Sequence, residues 1–198
     1  SSTNRTPRNS EPGIEGQRLD LDLTLKLIAD VGLVGFPNAG KSSLLARVSA
    51  ARPAVADYPF TTLTPHLGVQ VFGGQHQVVF ADIPGLIEGA SEGRGLGHKF
   101  LRHIERTRMI LHLVEPYDPA GVSPVERVRL IREELRRHSQ ALAEKPQLLV
   151  LNKCDTNPTD GEITQWEREL GESFIRISAV TGQGIGALLK AVQQQLSL

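Results

Sequence analysis

The chain of 198 residues is short of several residue types, and each shortage excludes a class of explanation. It has one cysteine, Cys154, so it can form no internal disulfide, and the expectation is a reducing, cytoplasmic setting. No His-Glu-x-x-His occurs among its six histidines, and Cys154 has no second cysteine to share a metal, so neither a zinc centre nor a catalytic histidine is indicated. The histidines read as surface or helix residues. No run is long and apolar enough to span a bilayer, and the polar N-terminus has no signal-peptide pattern. An excess of one charge is also missing. The 22 basic and 22 acidic residues cancel, so any contact with nucleic acid or membrane must be local. The one methionine is Met109, which reads as a processed or excised chain.

What is present centres on Gly35-Phe36-Pro37-Asn38-Ala39-Gly40-Lys41-Ser42, which fits G-x-x-x-x-G-K-[ST]. In such a loop two glycines let the backbone N–H groups converge on a phosphate, the lysine ammonium reaches the outer phosphates and the Ser42 hydroxyl can coordinate Mg²⁺. The flanks agree. Residues 29–34 are an apolar run suited to a buried parallel strand, and Ser43 to Val48 continue as a helix whose N-terminus attracts anions. Chance produces this pattern in roughly 1 in 100 chains of this length, so a plain Gly-rich turn carries little weight.

Residues 1–17 are rich in Ser, Asn, Pro and Gly and read as linker. Leu19, Leu21, Leu23, Leu25 and Leu27 then alternate with polar residues, a strand with one apolar face. A loop is expected over 50–65, and a hairpin of strands 68–72 and 77–81 about Gly73 to His76. A glycine-rich stretch over 85–97 precedes a helix over 98–107. Strands over 109–114, 148–152 and 174–177 alternate with helices over 122–143, 159–170 and 185–196. This order predicts an α/β fold with a mostly parallel sheet, helices on both faces and a ligand at the carboxyl ends of the strands.

Three further patterns bear on the ligand. Asn152-Lys153-Cys154-Asp155 follows a strand and fits N-K-x-D, in which the Asp155 carboxylate accepts from N1–H and the N2 amine of guanine, a donor pair that adenine lacks. Asn152 and the Lys153 stem would shape that pocket, and Ser178-Ala179-Val180 sits where a backbone N–H could meet guanine O6. Asp82-Ile83-Pro84-Gly85 fits D-x-x-G, with Asp82 holding Mg²⁺ through water and the Gly85 N–H at the γ-phosphate. A second copy, Asp118-Pro119-Ala120-Gly121, is followed by no flexible stretch and is set aside. In Phe60-Thr61-Thr62, either threonine offers a hydroxyl that would reach Mg²⁺ only when a triphosphate is bound. The long mixed-charge helix with Glu126, Arg127, Arg129, Arg132, Glu133 and Arg136 reads as a solvated face. Arg94, Lys99, Arg102, Arg106 and Arg108 outnumber Glu105 around the helix expected over 98–107, which reads either as a local positive patch suited to RNA phosphates or as a solvated face.

Together the stretches at 35–43, 58–65, 82–90, 95–107 and 152–155 resemble the GTPase domain of the Obg family. The resemblance implies a P-loop NTPase (Ras-like) G domain over 27–198, with residues 1–26 as the C-terminal remnant of a glycine-rich upstream domain. It further implies a monomeric, cytoplasmic GTP and GDP switch on the large ribosomal subunit and its RNA, linked to stress signalling through guanosine tetraphosphate. Lys41, Thr62, Gly85 and Asn38 would be catalytic, with Mg²⁺ on Ser42, Thr62 and Asp82. Many Ras-like GTPases carry Gln directly after D-x-x-G, where this chain has Leu86, so hydrolysis should be slow. The resemblance implies that Asn38 offsets the loss by helping to hold K⁺ against the phosphates. The family usually has Asp where this chain has Glu115, with no catalytic consequence expected. A scaffold with negligible turnover is the alternative; a small-molecule kinase is disfavoured by the guanine selector.

Overall fold

A computed structural model describes residues 13, 16, 18–19, 29–50, 54–55, 66–74, 76–82 and 104–198. Most of the strand expected over 18–27, most of the loop over 50–65 and the glycine-rich stretch with most of the helix after it lie outside the described residues.

The apolar run ahead of the P-loop forms β1 (Val31–Gly35), all five residues buried. A strand apolar on both sides has to be covered on both sides, and β1 lies between two parallel neighbours with helices on each face. The next elements are α1 (Lys41–Val48), β2 (Ala54–Val55), β3 (His66–Phe72), β4 (His76–Asp82) and β5 (Met109–Val114). They are followed by α2 (Pro124–His138), α3 (Gln140–Ala143), β6 (Gln147–Leu151), α4 (Asp160–Leu170), β7 (Ile175–Arg176) and α5 (Ile185–Leu196). The seven strands run in the order β2-β3-β4-β1-β5-β6-β7. Among the described residues only the β2–β3 and β3–β4 pairs are antiparallel. The sequence order thus reverses direction across the sheet at β1, and the P-loop leaves the carboxyl end of that strand, where ligands of open α/β sheets bind.

Alternation along β5 sorts the core. Met109, Leu111 and Leu113 join Leu44, Leu45 and Val48 of α1 and Leu188, Val192 and Leu196 of α5 on one face. Ile110 meets Ile131 and Leu135 of α2 on the other, and Val114 meets Val128 of α2 and Ile163 of α4. The β3–β4 hairpin turns at Gly73 and Gly74, with φ of 56° and 75°, a left-handed pair that side-chained residues resist.

Three expectations need correction. The helix expected over 122–143 is two helices, because Ser139 is extended (φ −161°, ψ 132°) and its N–H closes the last turn of α2 on the Leu135 carbonyl. The mixed charges of α2 are not all solvated: Arg127 is 1% exposed, because it reaches back to Glu115 at the end of β5. Nor are all histidines on the surface or in helices. His112 is fully buried in β5 between Val34 of β1 and Leu149 of β6, and neither ring nitrogen has a hydrogen-bond partner among the described residues.

Burial, and secondarily the charge of Arg132, lowers the His112 pKa from 6.5 to about 3, so the ring is neutral in the fold. Below pH 6.5 the unfolded chain takes up a proton that the folded chain refuses until about pH 3. Stability is therefore full above the first value and declines as pH falls toward the second. Urea unfolding should lose about 2 kcal/mol through His112 between neutral pH and roughly pH 5. His112→Leu should flatten that part of the pH slope; an unchanged slope in the variant would assign the acid sensitivity to other groups.

Candidate nucleotide-binding site

The P-loop is a short turn between a buried strand and α1. Phe36 packs on the core face opposite α1, Ala39 is fully buried on the α1 face, and Pro37 and Asn38 are exposed between them. Asn38 takes a left-handed φ of 65° and Gly40 one of 92°. A Cβ at Gly40 would lie 2.1 Å from Asn152 Nδ2, so glycine is required there both by backbone angle and by space. Gly40 is the N-cap of α1 and has no side chain to satisfy the first-turn N–H groups, and no acidic residue occupies that turn. The helix start is thus open to an anion. Lys41 Nζ donates to the carbonyls of Gly35 (3.0 Å) and Phe36 (3.1 Å), which holds the ammonium over the loop.

Asp82 ends β4 opposite Leu33 of β1, which places it beside the loop's mouth. It is 3% exposed. Ser42 Oγ donates to Asp82 Oδ2 at 2.5 Å, while Asp82 Oδ1, also buried, has no hydrogen-bond partner among the described residues. A buried carboxylate oxygen lacking a partner, next to a hydroxyl, is the hard oxygen set that Mg²⁺ takes, so Ser42 and Asp82 fit that ion. Ser43 is exposed one residue further on. Phe60, Thr61, Thr62, Ile83, Pro84, Gly85 and Leu86 lie outside the described residues.

Across β5, the end of β6 supplies Asn152, 2% exposed. Its Nδ2 donates to the Ala39 carbonyl (2.8 Å), and its Oδ1 accepts from the Ala179 N–H (3.0 Å). One amide therefore ties the P-loop to the turn after β7. The N–H of Ala179, a residue expected to serve guanine O6, is in this structure given to Asn152. Ser178 is fully buried, its hydroxyl accepting from the Thr181 N–H, and Val180 is 70% exposed. Arg47 of α1 donates to the Ala179 carbonyl at 2.9 Å and also to that of Val180. Asp155 lies exposed in a 3-10 turn, Cys154–Thr156, whose Cys154 N–H is held by the Ile177 carbonyl (3.0 Å).

Glu115 has a consequence that the sequence did not reveal. It is buried, its Oε2 meets Lys153 Nζ, and its Oε1 and main-chain oxygen accept from Arg127 at 3.3 and 2.5 Å. The only hint in the sequence is an acidic residue closing a buried strand. Of the basic patch, Arg108 is engaged by Asp30 (3.4 Å) and the Leu196 carbonyl, while Arg94, Lys99 and Arg102 lie outside the described residues. The second D-x-x-G copy is a tight turn, with the Gly121 N–H on the Asp118 carbonyl, leading into α2.

Removing the Asn152 amide leaves two buried backbone groups unmatched. Asn152→Ala should lower the stability of the nucleotide-free protein by about 2 kcal/mol in urea unfolding. Asp155→Asn, at an exposed position, should leave it within about 0.5 kcal/mol while moving preference from guanine toward xanthine diphosphate. Equal destabilisation by the two variants, or unchanged GDP affinity in the second, would contradict these assignments.

Comparison with known proteins gives the arrangement a family. The family model described as 50S ribosome-binding GTPase matches residues 30–153. Among curated relatives, GTPase Obg of Syntrophotalea carbinolica is 54% identical over 99% of this chain and 56% of its own length. GTPase Obg of Desulforamulus reducens is 49% identical over 100% of this chain and 47% of its own. The chain spans about half the length of the curated relatives it matches. Two solved structures share the fold at low identity. A crystal structure of Era in complex with MgGDPNP and 16S ribosomal RNA nucleotides aligns with TM-score 0.63, at 22% identity, covering 84% of this chain and 56% of that one. The G domain of the T. maritima FeoB iron transporter aligns with TM-score 0.57, at 20% identity, over 84% of this chain and 97% of that one. With a P-loop at the carboxyl end of β1 and half of its residues shared with the Obg proteins, the chain belongs to the 50S ribosome-binding GTPases and is a P-loop G domain of the Obg type.

Proposed function

We propose that this domain binds GTP and GDP, hydrolyses GTP with Mg²⁺, and uses the difference between the two states to act on the large ribosomal subunit. The observation that carries the reading is the buried Asp82 carboxylate, with one oxygen on Ser42 and the other without a partner among the described residues, beside the P-loop mouth. Ser42, Asp82 and, on the sequence pattern, Thr62 would hold the metal. Bound there, Mg²⁺ supplies neutralisation of charge on the phosphate oxygens. Lys41 faces the charge that builds between the outer phosphates, the open start of α1 offers N–H groups to them, and the Gly85 N–H meets the γ-phosphate. Asp155 reads guanine, Lys153 and Asn152 frame the base, and on the sequence pattern the segments carrying Thr62 and Gly85 would be those that respond to loss of the γ-phosphate. Residues 1–26 are the tail end of an upstream domain.

Leu86 cannot orient the attacking water, so turnover is slow, and the amide of the exposed Asn38 would help to hold a K⁺, which would supply positive charge beside the phosphates. Single-turnover hydrolysis of GTP, with ATP inert, should run faster in K⁺ than in Na⁺ at equal ionic strength, and Asn38→Ala should erase that difference with little change in GDP affinity. No turnover in either salt would leave a binding scaffold, and equal rates would remove the potassium role.

The family description supports the ribosome as partner, and the resemblance to the Obg family alone suggests guanosine tetraphosphate as a further guanine ligand of the same site. Co-sedimentation with purified large subunits should be stronger with a GTP analogue than with GDP. Equal recovery in both nucleotide states would separate ribosome binding from the switch.

A further inference from the structure

We propose that Glu115 and Arg127 are positioning residues for the base pocket, acting through Lys153. The inference rests on the guanine reading of Asn152 to Asp155 and adds two residues outside the motif that set its geometry.

The backbone around Lys153 is fixed on both sides. The Asn152 N–H is held by the Val114 carbonyl (2.8 Å) and the Cys154 N–H by the Ile177 carbonyl (3.0 Å). Lys153 itself takes a left-handed φ of 60°, unfavourable for a side-chained residue and kept only where the surroundings demand it. Its carbonyl accepts from the N–H and the hydroxyl of Thr156, closing the turn that carries Asp155. What remains free to vary is the path of the side chain. The ammonium ends on Glu115 Oε2, so the stem runs from the base-reading turn back to the end of β5.

Glu115 cannot swing away to follow the lysine. It is 6% exposed, and Arg127 holds both its other carboxylate oxygen and its carbonyl. Arg127 comes from α2, is 1% exposed, and its Nε lacks a hydrogen-bond partner among the described residues. Burying a carboxylate and a guanidinium together is costly, and apolar residues of the same shape commonly stabilise a fold as well or better. A buried pair that adds little stability, yet ends on a lysine of the nucleotide loop, is accounted for by the orientation it imposes. Neither residue touches nucleotide in this assignment; both act by holding the Lys153 stem along one wall of the pocket before the base arrives, which saves ordering a long side chain on binding.

The experiment measures GDP affinity and nucleotide-free stability in Glu115→Gln, Lys153→Met and the double variant. Glu115→Gln should weaken GDP about tenfold, the scale of one lost charged contact. In the Lys153→Met background the same change should add almost nothing, since its only route to the base is gone. Wild-type affinity in Glu115→Gln, or losses that add in the double variant, would overturn the proposal. The paired variant Glu115→Gln with Arg127→Met removes both buried charges and should be at least as stable as the parent while still binding GDP about tenfold more weakly. Affinity that returns with stability would show a structural role only, and this pair carries the test if Glu115→Gln alone does not fold. Comparing GDP with ADP on the parent protein tests the guanine reading separately: a parent without guanine preference would sink that reading whatever the Glu115 variants do.

Discussion

The buried amide of Asn152 is the constraint on which the site depends. Its nitrogen donates and its oxygen accepts, and the two groups they engage come from the P-loop and the turn after β7. An amide can do this because its two ends have opposite hydrogen-bonding character; a carboxylate of the same shape would have only acceptors. Ala39 and Ala179 are both nearly buried, so neither backbone group has water as an alternative. The amide nitrogen also fills the space above Gly40, which is why that position has no room for a side chain. Loop shape, glycine and asparagine are therefore one solution to one packing problem, reached from strands β1 and β6 that are not neighbours.

A second feature is where charge is buried. Asp82, Glu115 and Arg127 are all less than a tenth exposed in a chain with no net charge, and Asp82 and Glu115 lie at the carboxyl ends of β4 and β5. Strand ends allow this because the sheet's apolar layers stop there and side chains from successive elements converge. Asp82 has an oxygen lacking a partner among the described residues, whereas Glu115 has cations on both oxygens. The same side-chain chemistry thus leaves an oxygen unmatched among the described residues at one strand end and closes an ion pair at the next. His112 marks the opposite extreme: mid-strand, it keeps its place by remaining uncharged.

Much of the architecture was readable in order along the chain, because it depends on local pattern. The apolar run before the P-loop, the β5 strand over Met109–Val114 and the α5 helix over Ile185–Leu196 fall where periodicity puts them. Thr159 and Glu162 announce the start of α4 as a capping box, and Gly171 ends it at φ 72°. The spacings of the P-loop and of Asn152 to Asp155 already carried the family, because each is a short stretch whose meaning is set by its own residue types.

What the sequence could not decide is which distant groups meet. Periodicity gives a charged residue on α2 the same appearance whether it faces water or a strand end, so Arg127 looked like its neighbours until Glu115 was placed opposite it. Ser139 is unremarkable as a letter, and only the packing of α2 and α3 on the sheet makes it extended. The bond between Asn152 and Ala39 spans 113 positions and exists because β5 separates their strands by a fixed width. Local preference, set by a few adjacent side chains, determined the elements and their motifs; burial and hydrogen-bond matching between elements far apart in the chain, which only the tertiary fold brings together, decided the partners.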